Sequence, residues 1–112
     1  MVKIQEINNR DEFNSFVESD KESLHIVKFG ADWCGPCKLL ETRLKNLDDE
    51  KVKGVCFAEV TIADEPTEEL ASEFEITNIP VMLFIKNGEV KQVTRGALGT
   101  NEIYEKINNL LS

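Results

Sequence analysis

The segment that most restricts the fold is Trp33-Cys34-Gly35-Pro36-Cys37, because of what flanks it. Before it, His25-Ile26-Val27-Lys28-Phe29 reads as an apolar strand; after it, Lys38-Leu39-Leu40-Glu41 reads as the opening of a helix. A strand that passes through a Cys-x-x-Cys turn straight into a helix sets the first thiol at the helix N-terminus. Free N–H groups and a partial positive charge there favour a thiolate. Two thiols three positions apart close into a small disulfide ring and reopen, so the pattern points to dithiol–disulfide chemistry.

The rest of the chain alternates in type around that segment. Lys3–Ile7 is a short strand candidate, and Asn9 with Glu12 resembles a capping box ahead of a helix with Phe13, Phe16 and Val17 on one face. Leu24–Phe29 reads as a buried strand, and the helix after Cys34 carries Leu39, Leu40, Leu44 and Leu47, ending before Asp48-Asp49-Glu50-Lys51. Val55–Ile62 is a second long strand, mostly apolar, as expected when both faces of a sheet are covered. Asp64 or Thr67 starts a short helix with Leu70 and Phe74 inward. Ile79-Pro80 leads into the strand Val81–Ile85, and Asn87-Gly88 is a two-residue hairpin signal joining it to Val90–Arg95. Thr100 caps a last helix with Ile103, Ile107, Leu110 and Leu111 as its buried stripe. The order βαβαβαββα predicts helix-covered parallel strands with an antiparallel hairpin at the end.

Composition bounds the function classes. The 112 residues make one domain, 1–112, with no repeats or linkers, and 41% apolar residues suit a single core. A net charge of −8 repels phosphate backbones and anionic lipid, so neither nucleic acid nor membrane is an expected partner. No apolar run approaches the length of a membrane span. The first residues, Met1-Val2-Lys3-Ile4-Gln5-Glu6, show no charged leader with an apolar block, and the cysteine count is three. Both observations favour a reducing cytoplasm.

Four stretches in order carry a resemblance to the thioredoxin family that spans essentially the whole chain. Phe29-Gly30-Ala31-Asp32-Trp33-Cys34-Gly35-Pro36-Cys37-Lys38 resembles its active-site signature, and Ile76-Thr77-Asn78-Ile79-Pro80 its cis-proline segment. Leu83-Phe84-Ile85-Lys86-Asn87-Gly88-Glu89-Val90 and Arg95-Gly96-Ala97-Leu98 resemble its final hairpin and the glycine behind the active site. The resemblance implies a five-stranded mixed sheet with about four helices on both faces. It makes Cys34 the attacking nucleophile and Cys37 the resolving thiol of a protein disulfide reductase and electron carrier. Trp33, Gly35, Pro36, Ile79, Pro80 and Gly96 fall on the substrate face, Trp33 as a partly exposed wall, Ile79 offering its backbone to an extended segment, and Gly96 where backbones approach closely. No bound cofactor is implied, since NADPH acts only indirectly through a thioredoxin reductase; the other partners are disulfide-containing clients, and the chain is a monomer. Relatives that oxidise disulfides carry a histidine just before the second cysteine, where an imidazolium stabilises the thiolate. Here the only histidine is His25, so the direction is reduction.

Other readings compete with these. Cys34 and Cys37 with Cys56 and His25 would just complete a Cys3His zinc set, though without a second Cys-x-x-Cys knuckle. Cys56 otherwise packs as a buried, inert thiol. The chain could also be a dedicated reductant for one client, or a binding subunit whose cysteines are incidental. One departure from the family pattern bears on mechanism. Lys28 stands where most thioredoxins have a buried aspartate, and Glu59 where the neighbouring strand usually has a lysine. The charges are exchanged, which predicts either a Lys28–Glu59 pair that replaces the usual proton acceptor, or a snorkelling lysine and a surface glutamate.

Overall fold

The apolar runs assemble into one sheet whose two faces are both covered. In the computed structural model, which describes residues 1–111, the elements are β1 (Ile4–Glu6), α1 (Arg10–Glu18), β2 (Leu24–Gly30), α2 (Gly35–Lys45), β3 (Val55–Thr61), α3 (Glu65–Glu73), β4 (Val81–Lys86), β5 (Glu89–Arg95) and α4 (Thr100–Leu111). Ser112, the last residue of the expected domain, lies outside the described residues. The strand order is β1-β3-β2-β4-β5: β1, β3 and β2 run parallel, while β4 and β5 are antiparallel to their neighbours. This is the expected mixed sheet.

Strand residues face alternate sides, so the two cores can be separated by parity. On β2, Leu24 and Ile26 join Leu40, Leu44, Phe84, Ile103 and Ile107 beneath α2 and α4. Val27 and Phe29 join Phe13, Phe16, Leu70 and Leu83 beneath α1 and α3. Every residue of β2 is buried, which is why the strand reads as a continuous apolar run and not as an alternating one. Parity sets Lys28 with Leu24 and Ile26, on the side facing α2.

Local chemistry fixes the element ends. Asn9 accepts the N–H of Glu12 at 2.9 Å, but the Glu12 carboxylate takes the N–H of Asn8, at 2.8 Å, so the capping box is displaced by one residue. Asp64 caps α3: it accepts the Thr67 N–H at 3.1 Å, and the Thr67 hydroxyl accepts the Asp64 N–H at 3.1 Å. Asn87 and Gly88 both take positive φ, 54° and 75°, as a type I′ hairpin turn requires.

The helix stripes depart from expectation in places. Leu40 and Leu44 are buried, but Leu39 is 48% exposed, because it lies about 100° around the helix from Leu40. Leu47 is buried just beyond the end of α2. Leu110, Leu111 and Phe74 are half-buried, each at a helix end.

Candidate redox site

The site stands at the carboxyl end of β2, where a parallel strand hands over to its helix. Cys34 is the N-cap of α2 and forms a disulfide with Cys37, their Cα atoms 5.3 Å apart. The Cys37 N–H donates to Cys34 Sγ at 3.2 Å, so an orphan helix donor and the positive end of α2 both meet that sulfur. Such an arrangement favours negative charge on Cys34 when the disulfide is open. Pro36 sits in the first turn, where its missing N–H costs nothing. Both cysteines are nearly covered, Cys34 being 5% and Cys37 2% exposed.

Gly30 permits this close seating. A Cβ there would lie 3.1 Å from both Cβ and Sγ of Cys37. Nothing of the chain itself stands within 4 Å of the place the Gly96 Cβ would occupy. What it needs glycine for is its φ of 86°. Its N–H donates to the Pro80 carbonyl at 2.9 Å, which ties the two segments together. Arg43 on α2 completes that corner by donating to the carbonyls of Ala97 and Leu98 at 2.7 and 2.9 Å. Sequence reasoning missed Arg43, since its partners lie more than fifty residues away.

Around the sulfurs, Ile79 packs against Ala31, Cys34 and Cys37, and the Ile79–Pro80 peptide bond is cis. Trp33 is 82% exposed, a bare ring beside the cysteines. It forms one wall of an open groove floored by Ile62, Ile76 and Ile79.

Beneath Cys37 lies a row of charges. Glu6, Glu59 and Lys28 are register neighbours across β1, β3 and β2, with Met82 of β4 next in line. Lys28 is 3% exposed and does not snorkel. Its Nζ donates to the Cys37 carbonyl at 3.3 Å and stands 3.2 Å from Glu59 and 3.8 Å from Glu41. Glu41 also pairs with Lys45 at 2.7 Å, and this hydrogen bond, helped by the Lys28 charge, holds its carboxyl below the usual carboxylate range. Glu6 is exposed as a residue, yet partial desolvation of its carboxyl, and then the negative charge of Glu59, push it up. A small cleft bordered by Lys28, Gly30, Cys37, Glu41 and Glu59 connects the row to Cys37.

His25 and Cys56 face each other across β2 and β3, in register five residues before Gly30. Among the described residues no group of three or more His, Cys, Asp or Glu side chains is placed to hold a metal ion. Burial pushes the His25 imidazole below its ordinary value. Cys56 is a free thiol, half-buried rather than buried as expected, because β3 is open at that end.

The family profile described as Thioredoxin matches residues 4–109. This chain belongs to the thioredoxin family. It is 37% identical over 95 residues to the thioredoxin of Chlamydia caviae, covering 85% of this chain and 82% of that protein. The thioredoxin of Sus scrofa is 32% identical over 108 residues, 96% of this chain and 99% of its own length. Among solved structures, thioredoxin from Fasciola hepatica superposes with a TM-score of 0.83 at 26% identity, over 95% of this chain and 98% of that one. With its cysteine pair at bonding distance, the chain is a thioredoxin-type protein disulfide oxidoreductase that carries electrons by dithiol–disulfide exchange. The cysteine pair itself is the redox centre, and thioredoxins as a family work with thioredoxin reductase and disulfide-bearing clients. No helix among the described residues is long and apolar enough to cross a membrane.

Proposed function

We propose that the chain is a monomeric cytoplasmic reductant of client disulfides, with Cys34 as nucleophile and Cys37 as resolving thiol. The observation that carries this reading is Cys34 at the N-cap of α2, with an N–H aimed at its sulfur beside the bare Trp33 ring. The Cys34 thiolate attacks a client disulfide, forming a mixed disulfide and expelling one client thiolate. Cys37 then gives up its proton and attacks Cys34 Sγ, which closes the Cys34–Cys37 bond and releases the second client thiolate. Two electrons pass to the client, and a thioredoxin reductase drawing on NADPH restores the dithiol. Trp33, Gly35, Pro36, Ile79, Pro80 and Gly96 border the client segment.

Lys28 and Glu59 serve the second step. The Lys28 ammonium cannot accept a proton, but its field favours a Cys37 thiolate, and Glu59 takes the proton directly or through water. Their 3.2 Å contact beneath Cys37 supports this division of labour.

The test uses pre-reduced protein and a peptide disulfide. Cys34→Ser abolishes reduction, and Cys37→Ser accumulates a mixed disulfide on Cys34; a Cys37→Ser protein that turns over normally defeats the assignment. For the proton step, Lys28→Met and Glu59→Gln each displace the pH profile of reduction, and profiles unchanged in both variants exclude the pair from it.

A further inference from the structure

The rim of the Trp33 groove has a charge pattern that its role as an apolar dock does not require. Asp32, Glu68 and Glu75 line it, and no lysine, arginine or histidine does. Among the described residues none of the three carboxylates has an ion-pair partner. Glu68 has a structural reason to be acidic, since it lies in the first turn of α3, where the helix dipole favours negative charge.

Glu75 has reasons not to be. It follows the C-cap Phe74 of α3, and the Glu75 and Ile76 N–H groups close back on the carbonyls of Ser72 and Ala71. This is the helix-end motif in which glycine is the ordinary occupant of the left-handed position. Glu75 holds that position with φ 56°, a conformation that disfavours any side chain with a Cβ. It also lies at the C-terminal end of α3, where the helix dipole disfavours negative charge. Backbone and electrostatics both argue for another residue here, and a residue kept against local preference at a groove edge points to function.

We propose that this groove selects client segments bearing lysine or arginine beside the disulfide, with Glu75 as the specificity-determining carboxylate. The occupant is an extended stretch of client polypeptide: its apolar side chains lie against Trp33, Ile76 and Ile79, and its basic side chains meet the rim. The inference rests on the reading of the chain as a disulfide reductase.

The experiment measures the second-order rate at which pre-reduced protein reduces three peptides, identical except for lysine, serine or glutamate flanking an internal disulfide. At low ionic strength the lysine peptide reacts about three- to ten-fold faster than the glutamate peptide, and the gap closes at about 0.5 M salt. Glu75→Gln slows the lysine peptide about two- to five-fold and leaves the serine peptide unchanged. Glu75→Gly gives the same kinetic loss yet unfolds at a higher urea concentration. Glu105→Gln, an equal change of charge on an exposed face of α4, leaves the lysine rate unaltered and separates the rim from the overall field. Equal rates for the lysine and glutamate peptides, or equal losses from Glu75→Gln and Glu105→Gln, overturn the proposal. Failure to reduce any of the three overturns the reductase reading beneath it.

Discussion

A lysine 3% exposed is held in place by what it touches, and Lys28 touches two carboxylates and a carbonyl. Removing one partner of a buried pair leaves the other uncompensated, at a cost of about 3–5 kcal/mol when both are dry. Glu59 is partly hydrated, its side chain 16% exposed, so Lys28→Met is expected to cost about 2–3 kcal/mol in urea unfolding at pH 7. Lys28→Met combined with Glu59→Leu restores more than half of that loss; strict additivity of the two changes denies the coupling. Glu6 yields a prediction of opposite sign. Its folded carboxyl titrates above the ordinary 4.5, so the folded state binds a proton more tightly than the unfolded one. Stability contributed by that proton is present at acid pH and lost as pH rises from about 4.5 through the raised value. Glu6→Gln is therefore more stable than the parent at pH 7 and equal to it below about pH 4, as parallel urea titrations test. The Lys28–Glu59 contact was legible as one of two alternatives, from the exchanged charges at two positions of the family pattern on strands that otherwise read as buried. Glu41 and Glu6 were not, because the seating of α2 over the sheet and the edge position of β1 leave no local trace.

Elements declare themselves through period and caps, and misread most easily at their ends. The five strands and four helices of the described residues follow the expected order because each has its own signal: continuous apolar runs for strands covered on both faces, or a 3.6-residue stripe behind a cap. Leu39 shows the limit of such reading, since two adjacent leucines cannot both face the core of a straight helix. The α3 N-terminus shows its strength: Asp64 and Thr67 satisfy each other's N–H groups, which the sequence could locate only to one of the two. Asp64→Ala removes that reciprocal cap and lowers the urea midpoint at pH 7. Thr67 holds the Asp64 carboxyl below its ordinary value, so this contribution exists above the unfolded pKa and disappears as pH falls through the lowered one. Parent and variant converge in strong acid; a constant difference across pH would trace the effect to helix propensity alone. Gly30 stood in the sequence only as part of the active-site signature, whereas Gly96 was legible as a glycine that matters; their reasons differ. One admits Cys37, and the other supplies a left-handed turn.

At the scale of the whole molecule, 21 acidic residues against 13 basic ones set a field that the individual pairs do not cancel. The body measures 36 × 29 × 22 Å. At about 10 mM salt the screening length, about 30 Å, matches those dimensions, so every carboxylate feels most of the others. Near 1 M it falls to about 3 Å, and only groups in contact still interact. Salt therefore removes long-range repulsion, which opposes the compact state, more fully than it weakens contact pairs such as Lys28–Glu59 and Arg10–Glu73. The urea midpoint is expected to rise with sodium chloride between 10 mM and 0.5 M and then level off. A midpoint that falls instead would mean that exposed ion pairs outweigh the net charge. The same screening erases the predicted preference for basic client segments, so one salt series tests two consequences of the acidic surface. Stability rises while selectivity falls, and only a field made by the folded protein's own carboxylates moves the two in opposite directions.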